Sequence, residues 1–279
     1  MRRIVILVTV GLLFATGVSA SVILEADMGT TRWGDVGLAE LDSVTSGAGS
    51  WTQSWQFDTA GNRRYFVNDE DGSNTAFYWR NDDGLVHSNI RLTFDEPLDF
   101  TEESITISYD MGYELPPVGT TDTSLYFRVR DQFGAGVQIL DVDYLAQRGA
   151  NIGRVVLDPS DAAAFQVGEG AVIGANNDLR DADDLEGYPT AMANFSFTFS
   201  GNVLSYTITD SGGISHTGTT DIDISDETGT KVIDQLVFGM ANNPTAMYLD
   251  NISVIPEPTS VLLLAFSGLF LWVAKKRMK

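Results

Sequence analysis

The sequence predicts an all-β fold, an antiparallel β-sandwich of jelly-roll type, and three observations carry that prediction. Apolar residues recur at every second position through most of the body, and Gly, Asn and Asp separate the resulting runs. No helical period longer than about two turns interrupts them. Alternation with period two sends one set of side chains to a core and the other to water, as a sheet wetted on one face requires.

The chain opens on a segment outside that pattern. Arg2 and Arg3 precede an apolar run from Ile4 to Ala15, and Val18-Ser19-Ala20 supplies small residues. This is the layout of a secretory signal peptide, with cleavage after Ala20 leaving Ser21 as the new N-terminus. Strand candidates follow at 21–27, 53–57, 63–67, 75–80 and 88–95. In "SITISYD" Ile105, Ile107 and Tyr109 face one way, while Thr106, Ser108 and Asp110 face the other. In "SLYFRVRD" Leu125, Phe127 and Val129 oppose Tyr126, Arg128 and Arg130. Candidates at 136–145 and 152–157 lead to "DPSDAAAF" (158–165), which offers one short helix on an Asp158 or Ser160 cap. "FSFTFSGNVLSYTITD" then reads as a hairpin, with Phe195, Phe197 and Phe199, and later Leu204, Tyr206 and Ile208, on single faces. Ser200-Gly201-Asn202 is its turn. The last candidates are 214–218, 232–240 and 246–254. Without an internal repeat or a Pro/Ser-rich linker, residues 21–255 read as one ectodomain between a signal peptide (1–20) and a C-terminal segment (256–279).

Charge is unevenly divided. The two ends carry six of the 17 basic residues and one of the 38 acidic ones, leaving the ectodomain 11 against 37, a net of −26. Such a field repels nucleic acid and anionic membranes, and it favours bound cations, calcium above all outside the cell. With no cysteine, an exported body must be held by its core and not by disulfides.

Catalytic motifs are sparse. His87 and His216 stand in dissimilar polar contexts, and no Gly-x-Ser-x-Gly elbow is present. In "TTDIDISDE" Asp221 and Asp223 partly match the paired carboxylates of sandwich-fold glycosidases, but Ser225 stands where the final acid belongs. The expectation is therefore a protein that is not an enzyme. The acidic loops 67–74 and 176–187 lack the ligand spacing of an EF-hand. Trp51, Trp55, Tyr78 and Trp79 are candidates for stacking on sugar rings, with core packing as the alternative.

The closing strand "MYLDNISV" places Tyr248, Ile252 and Val254 on one face, and Asp250 on that same apolar side. An inward carboxylate needs a cation, an arginine or hydrogen-bond donors. The order of motifs, with "PLDFTEESITISYD" in the middle and "MYLDNISVIPEP" at the end, is similar to that of concanavalin-like and carbohydrate-binding-module sandwiches. That resemblance implies a structural Ca²⁺ between the last and first strands, held here by Asp250 with Glu25 and Asp27 of "SVILEADMG". Capping of Asp250 by backbone amides is the alternative.

Beyond this strand the chain becomes apolar. Thr259 to Ala274 holds sixteen residues without a charge, a helix of about 24 Å against a bilayer core of about 30 Å. Trp272 sits at an interfacial position, and Lys275, Lys276, Arg277 and Lys279 form a tail of the kind retained in the cytoplasm. Pro256-Glu257-Pro258 stands immediately before the span, where prolines keep the backbone extended. The three parts together resemble the PEP-CTERM sorting signal of Gram-negative-type bacteria. The resemblance implies recognition of Pro256, Glu257 and Pro258 by exosortase, a transient anchor in the inner membrane, and delivery to the cell surface or extracellular matrix. The expected protein is exported and structural or polysaccharide-associated, with a glycan-binding module as the alternative and a polysaccharide-active enzyme behind it.

Overall fold

The computed structural model describes residues 24–26, 38–55, 62–68, 75–81, 88–114, 123–131, 137–147, 152–159, 164–167, 192–210, 213–222, 232–241 and 245–256. They form two antiparallel sheets that face each other across one hydrophobic core. In the nine-stranded sheet β14 (Ser215–Asp221), β13 (Val203–Thr209), β12 (Ala193–Ser200), β7 (Ile105–Glu114), β16 (Thr245–Pro256), β1 (Leu24–Ala26) and β2 (Thr45–Gly47) lie in that order. β5 (Thr75–Asn81) joins the first half of β16 and carries β4 (Asn62–Asn68) on its other side. The seven-stranded sheet runs β11 (Phe165–Gln166), β10 (Ile152–Pro159), β9 (Val137–Gln147), β8 (Thr123–Asp131), β15 (Val232–Ala241), β6 (Ser88–Asp99) and β3 (Gly49–Trp55). The β-sandwich expected from the alternation is therefore present.

Period-two patterning builds the core as expected. Phe195, Phe197 and Phe199 point inward from β12, while Asn194, Ser196 and Thr198 face out. Gly201 takes the left-handed conformation (φ 59°) that closes the β12–β13 hairpin. Aromatic rings from both sheets meet at the centre. Tyr109 of β7 stacks on Phe195 at 4.9 Å and meets Phe127 of β8 at 4.6 Å, with Phe238 of β15 edge-on at 5.4 Å. Each such ring is worth roughly 1.5–3 kcal/mol in removed apolar surface.

Trp51 and Trp79 belong to this core and are buried. Their proposed role in stacking on sugars is thereby corrected: each falls on the inward phase of its strand. The Trp51 indole N–H donates to Thr45 Oγ1 at 2.7 Å. Tyr78 is buried against Tyr248 on the opposite face of the nine-stranded sheet, and the side chain of Trp55 lies outside the described residues. The helix expected at 158–165 is replaced at its start by β10, which continues through Asp158 and Pro159. A short helix, α1 (Leu38–Ser43), occurs instead ahead of β2, with Leu41 buried and Asp42 Oδ1 accepting the Trp51 backbone N–H at 2.7 Å.

The closing strand also departs from simple alternation. Asp250 lies opposite Asp110 and Ser253 opposite Ser108, so Asn251 and Ile252 together oppose Tyr109. This is a β-bulge, and Asn251 takes the left-handed conformation (φ 50°) within it. The extra residue reverses the phase. Met247 and Leu249 face the core before it, and Ile252 and Val254 after it. Tyr248 and Asp250 consequently lie on the outer face, contrary to the expectation that Asp250 shares a side with Ile252 and Val254. β16 also runs two residues beyond the expected 246–254, to a buried Pro256.

Among the described residues no helix is long and apolar enough to cross a membrane. The expected cleavage residues Ala20 and Ser21, Glu257 and Pro258 of the expected sorting motif, and the apolar run 259–274 lie outside them.

Candidate functional site

Strand register assembles one unusual surface, on the outer face of the seven-stranded sheet. Because Leu125, Phe127 and Val129 of β8 point into the core, Tyr126, Arg128 and Arg130 point out. Three cross-strand rows result. Asn89, Gly239, Tyr126 and Asp143 form the first, and Arg91, Val237, Arg128, Asp141 and Asp158 the second. Thr93, Gln235 and Arg130 form the third. β15 contributes the floor, where Val237 is 1% and Gln235 3% exposed. The longer side chains of β6 and β8 flank it, with Arg91, Arg128 and Arg130 half-buried.

Within this surface the groups are closely coupled. Arg128 Nε donates to Asp141 Oδ2 at 2.9 Å, while its guanidinium lies 4.2 Å from the Tyr126 ring centroid. The Tyr126 hydroxyl accepts from Asn89 Nδ2 at 2.9 Å, and Gln235 Nε2 donates to Thr93 Oγ1 at 3.2 Å. Burial raises the Tyr126 hydroxyl pKa, opposed by the Asn89 hydrogen bond and by Arg128 and Arg130. Burial lowers the pKa of Arg130, and the charges of Arg128 and Arg91 lower it further. Burial raises Asp143, with Asp158 adding to the rise and Arg128 opposing it. The buried Nε atoms of Arg91 and Arg130 have no hydrogen-bond partner among the described residues. Such a grouping of shifted side chains on one face is a candidate site, as structural ion-pair networks also shift pKa. Its half-buried planar cations suit an oxygen-rich ligand.

In the sequence Arg128 and Arg130 stand out only as the outer phase of a strand. A Tyr-x-Arg-x-Arg run within 21–255, which holds 11 basic residues, is the available signal. The contributions of Asn89, Arg91 and Gln235 depend on register with distant strands and have none.

The residues expected to hold calcium are distributed differently. Glu25 is exposed on β1 opposite Ser253, Asp250 is 3% exposed on the outer face of β16, and Asp27 lies outside the described residues. Asp110, which the sequence reading did not single out, stands directly opposite Asp250. Its carboxylate accepts from Asn194 Nδ2 and Asn251 Nδ2, both at 2.7 Å. Asp250 Oδ1 accepts the Asn251 backbone N–H at 2.8 Å. These oxygens thus face N–H donors, and no group of three His, Cys, Asp or Glu suited to a metal gathers among the described residues. Asp221 is exposed at the end of β14, while Asp223, Ser225, His87 and loop 176–187 lie outside the described residues. His216 Nε2 is 3.8 Å from Asp210 Oδ2.

No family model and no curated protein matches the chain. Solved structures match it as a fold. The globular domain of T. cruzi calreticulin aligns with TM-score 0.50 and 9% identity over 93% of this chain and 100% of that one. A carbohydrate esterase from the Shiga toxin-encoding bacteriophage phi24B aligns with TM-score 0.52 and 13% identity over 86% and 100%. A Bauhinia forficata lectin in complex with GalNAc reaches TM-score 0.43 and 8% identity over 76% and 100%. Identities this low show the β-sandwich alone. They also correct the expectation that the protein is not an enzyme. The phage neighbour is a carbohydrate esterase, so missing sequence motifs do not exclude catalysis on this scaffold.

Proposed function

We propose that this chain is a glycan-binding β-sandwich whose ligand lies on the outer face of the seven-stranded sheet. One observation carries the reading: Arg91, Arg128 and Arg130 converge with Tyr126 and Asn89 above a floor of Val237 and Gln235. Saccharides present oxygens to planar donors, and the half-buried arginines offer these, while the buried Tyr126 ring braces the Arg128 guanidinium from beneath. The carbohydrate substrate named for the phage neighbour supports the same ligand class. The test is polysaccharide binding by the purified full-length protein in detergent. Binding that weakens about tenfold in Arg128→Gln, with melting temperature checked in parallel, supports the site. Absence of binding to every neutral and acidic polysaccharide in a broad panel overturns it.

A second reading concerns the route to the ligand, and Pro256-Glu257-Pro258 with the apolar run and basic tail carries it. We propose that the protein is exported, held briefly in the inner membrane, and cut near this motif by an exosortase that delivers it to the surface or matrix. Intact mass from a host carrying exosortase tests this, beside a variant with all three motif residues changed to alanine. Retention of Lys279 in the native protein overturns it.

A further inference from the structure

We infer that the ligand of the seven-stranded face is an acidic polysaccharide, with a uronate carboxylate seated over Val237 between the guanidinium groups of β6 and β8. The inference rests on the glycan-binding reading and specifies its substrate class. β15 places the short side chain of Val237 between Arg91 on one flanking strand and Arg128 on the other, with Arg130 in the next row beside Gln235. Two strand spacings separate those walls, roughly 10 Å, and the long arginine side chains close over that gap until Val237 is 1% exposed, so the carboxylate meets the guanidinium ends above it.

Charge supplies the selectivity. Three of the 11 basic residues in 21–255 meet here, while Asp141 pairs with Arg128, and Asp143 and Asp158 lie towards the β9–β10 end of the same rows. Arg128 is satisfied by Asp141 and Tyr126. Arg91 and Arg130 are half-buried, with their Nε atoms buried and without a partner among the described residues, so the terminal N–H groups of each guanidinium are what a ligand meets. Like charges held in a partly desolvated surface repel, and that repulsion already lowers the proton affinity of Arg130. A carboxylate relieves it and accepts fork-shaped donation, which a neutral hydroxyl cannot match in charge. Sulfate esters share the charge but spread it over three oxygens and are weaker acceptors than a carboxylate, so charge-assisted donation from the guanidinium groups favours the uronate. The chain's net charge of −21 opposes an anionic polymer at a distance. At physiological ionic strength that repulsion is screened beyond about 8 Å, which leaves the local contact to decide.

The experiment measures binding of the full-length protein in about 0.15 M salt to polygalacturonate, to the same polymer after carboxyl reduction, and to dextran sulfate. We expect polygalacturonate to bind at least about tenfold more tightly than either of the others. Arg91→Gln and Arg130→Gln should each remove about that factor without lowering the melting temperature. If either variant unfolds, the comparison of native with carboxyl-reduced polymer decides alone. Equal binding of the reduced polymer overturns the uronate assignment and leaves the glycan-binding reading standing. Equal binding of dextran sulfate overturns the preference for a carboxylate, and no binding to any polysaccharide overturns both readings.

Discussion

Tyr126 sets the hydroxyl end of its ring against Gly239 on the neighbouring strand, so that a β-carbon at position 239 would clash with its Cζ, Cε2 and hydroxyl oxygen. Only a residue without a side chain lets the hydroxyl pass over β15 to meet Asn89. Gly239→Ala should therefore displace the ring, break that hydrogen bond and cost about 1–3 kcal/mol, measured by urea denaturation. In a Tyr126→Ala background the same substitution should be nearly neutral. Equal costs in both backgrounds would place the strain elsewhere.

Tyr109 is buried among four rings, and its hydroxyl has no partner among the described residues. Burial raises its pKa well above the ordinary 10.0. Tyr109→Phe removes an unmatched polar atom while keeping the ring, so stability at pH 7 should stay level or rise by up to about 1 kcal/mol. Below pH 10 both folded and unfolded forms carry the proton, and the group adds no pH dependence. Above pH 10 the unfolded form ionises while the folded form does not, and stability falls by about 1.4 kcal/mol per pH unit. The Phe variant should lose that part of the alkaline slope, and an unchanged slope would count against the burial of this hydroxyl.

The main architecture was legible because alternation is a local property. The hairpin at 200–202 and the inward phases of β7, β8 and β12 follow from neighbouring residues alone. What escaped depends on partners far along the chain. The phase reversal in β16 exists because two residues face Tyr109, and no periodicity within "MYLDNISV" reports that count. The burial of Trp51 and Trp79 is set by strand phase against the other sheet, not by their aromatic neighbours in sequence. Two glycines that look like weak points in strands, Gly218 and Gly239, lie beneath Tyr206 and Tyr126 on adjacent strands. The arginine surface needed the register of three strands before it became a site.

Asn251 should rank substitutions by backbone as much as by side chain. Glycine keeps the left-handed geometry and loses only the hydrogen bond to Asp110, at about 1 kcal/mol. Valine adds the strain of a β-branched residue in that region, about 1–2 kcal/mol more. Thermal melts of the two variants should therefore separate, with glycine the more stable. The reverse order would mean that the bulge relaxes to ordinary strand geometry.

Asp110 and Asp250 are like charges set directly opposite each other on adjacent strands, an arrangement that destabilises a sheet by a few tenths to about 1 kcal/mol. Asp250→Asn retains an acceptor for the Asn251 N–H, so in chelator it should melt slightly higher than the native protein. Calcium that raises the native melting temperature but not the variant's would assign the cation role expected for Asp250 with Glu25 and Asp27. Identical native melts with calcium and with chelator would remove that role.

The end of β16 sets how much of the C-terminus the fold can lose. Pro256 is the last residue of the strand, buried opposite Ile105, and a proline is tolerated there because no further ladder N–H is required of it. Ile252 and Val254, just before it, fill the core and pair with β1. A chain ending at Pro256 should accordingly keep the stability of the full-length protein to within about 0.5 kcal/mol, the range of surface changes. A chain ending at Asp250 loses two core side chains worth roughly 1.5–3 kcal/mol each, together with the partner of β1. It should fail to give a cooperative melt. If the chain is cut just beyond the strand, as proposed, the released sandwich then needs nothing from residues 257–279. If the chain ending at Pro256 proves markedly less stable, the tail belongs to the fold and its removal cannot be part of the protein's maturation.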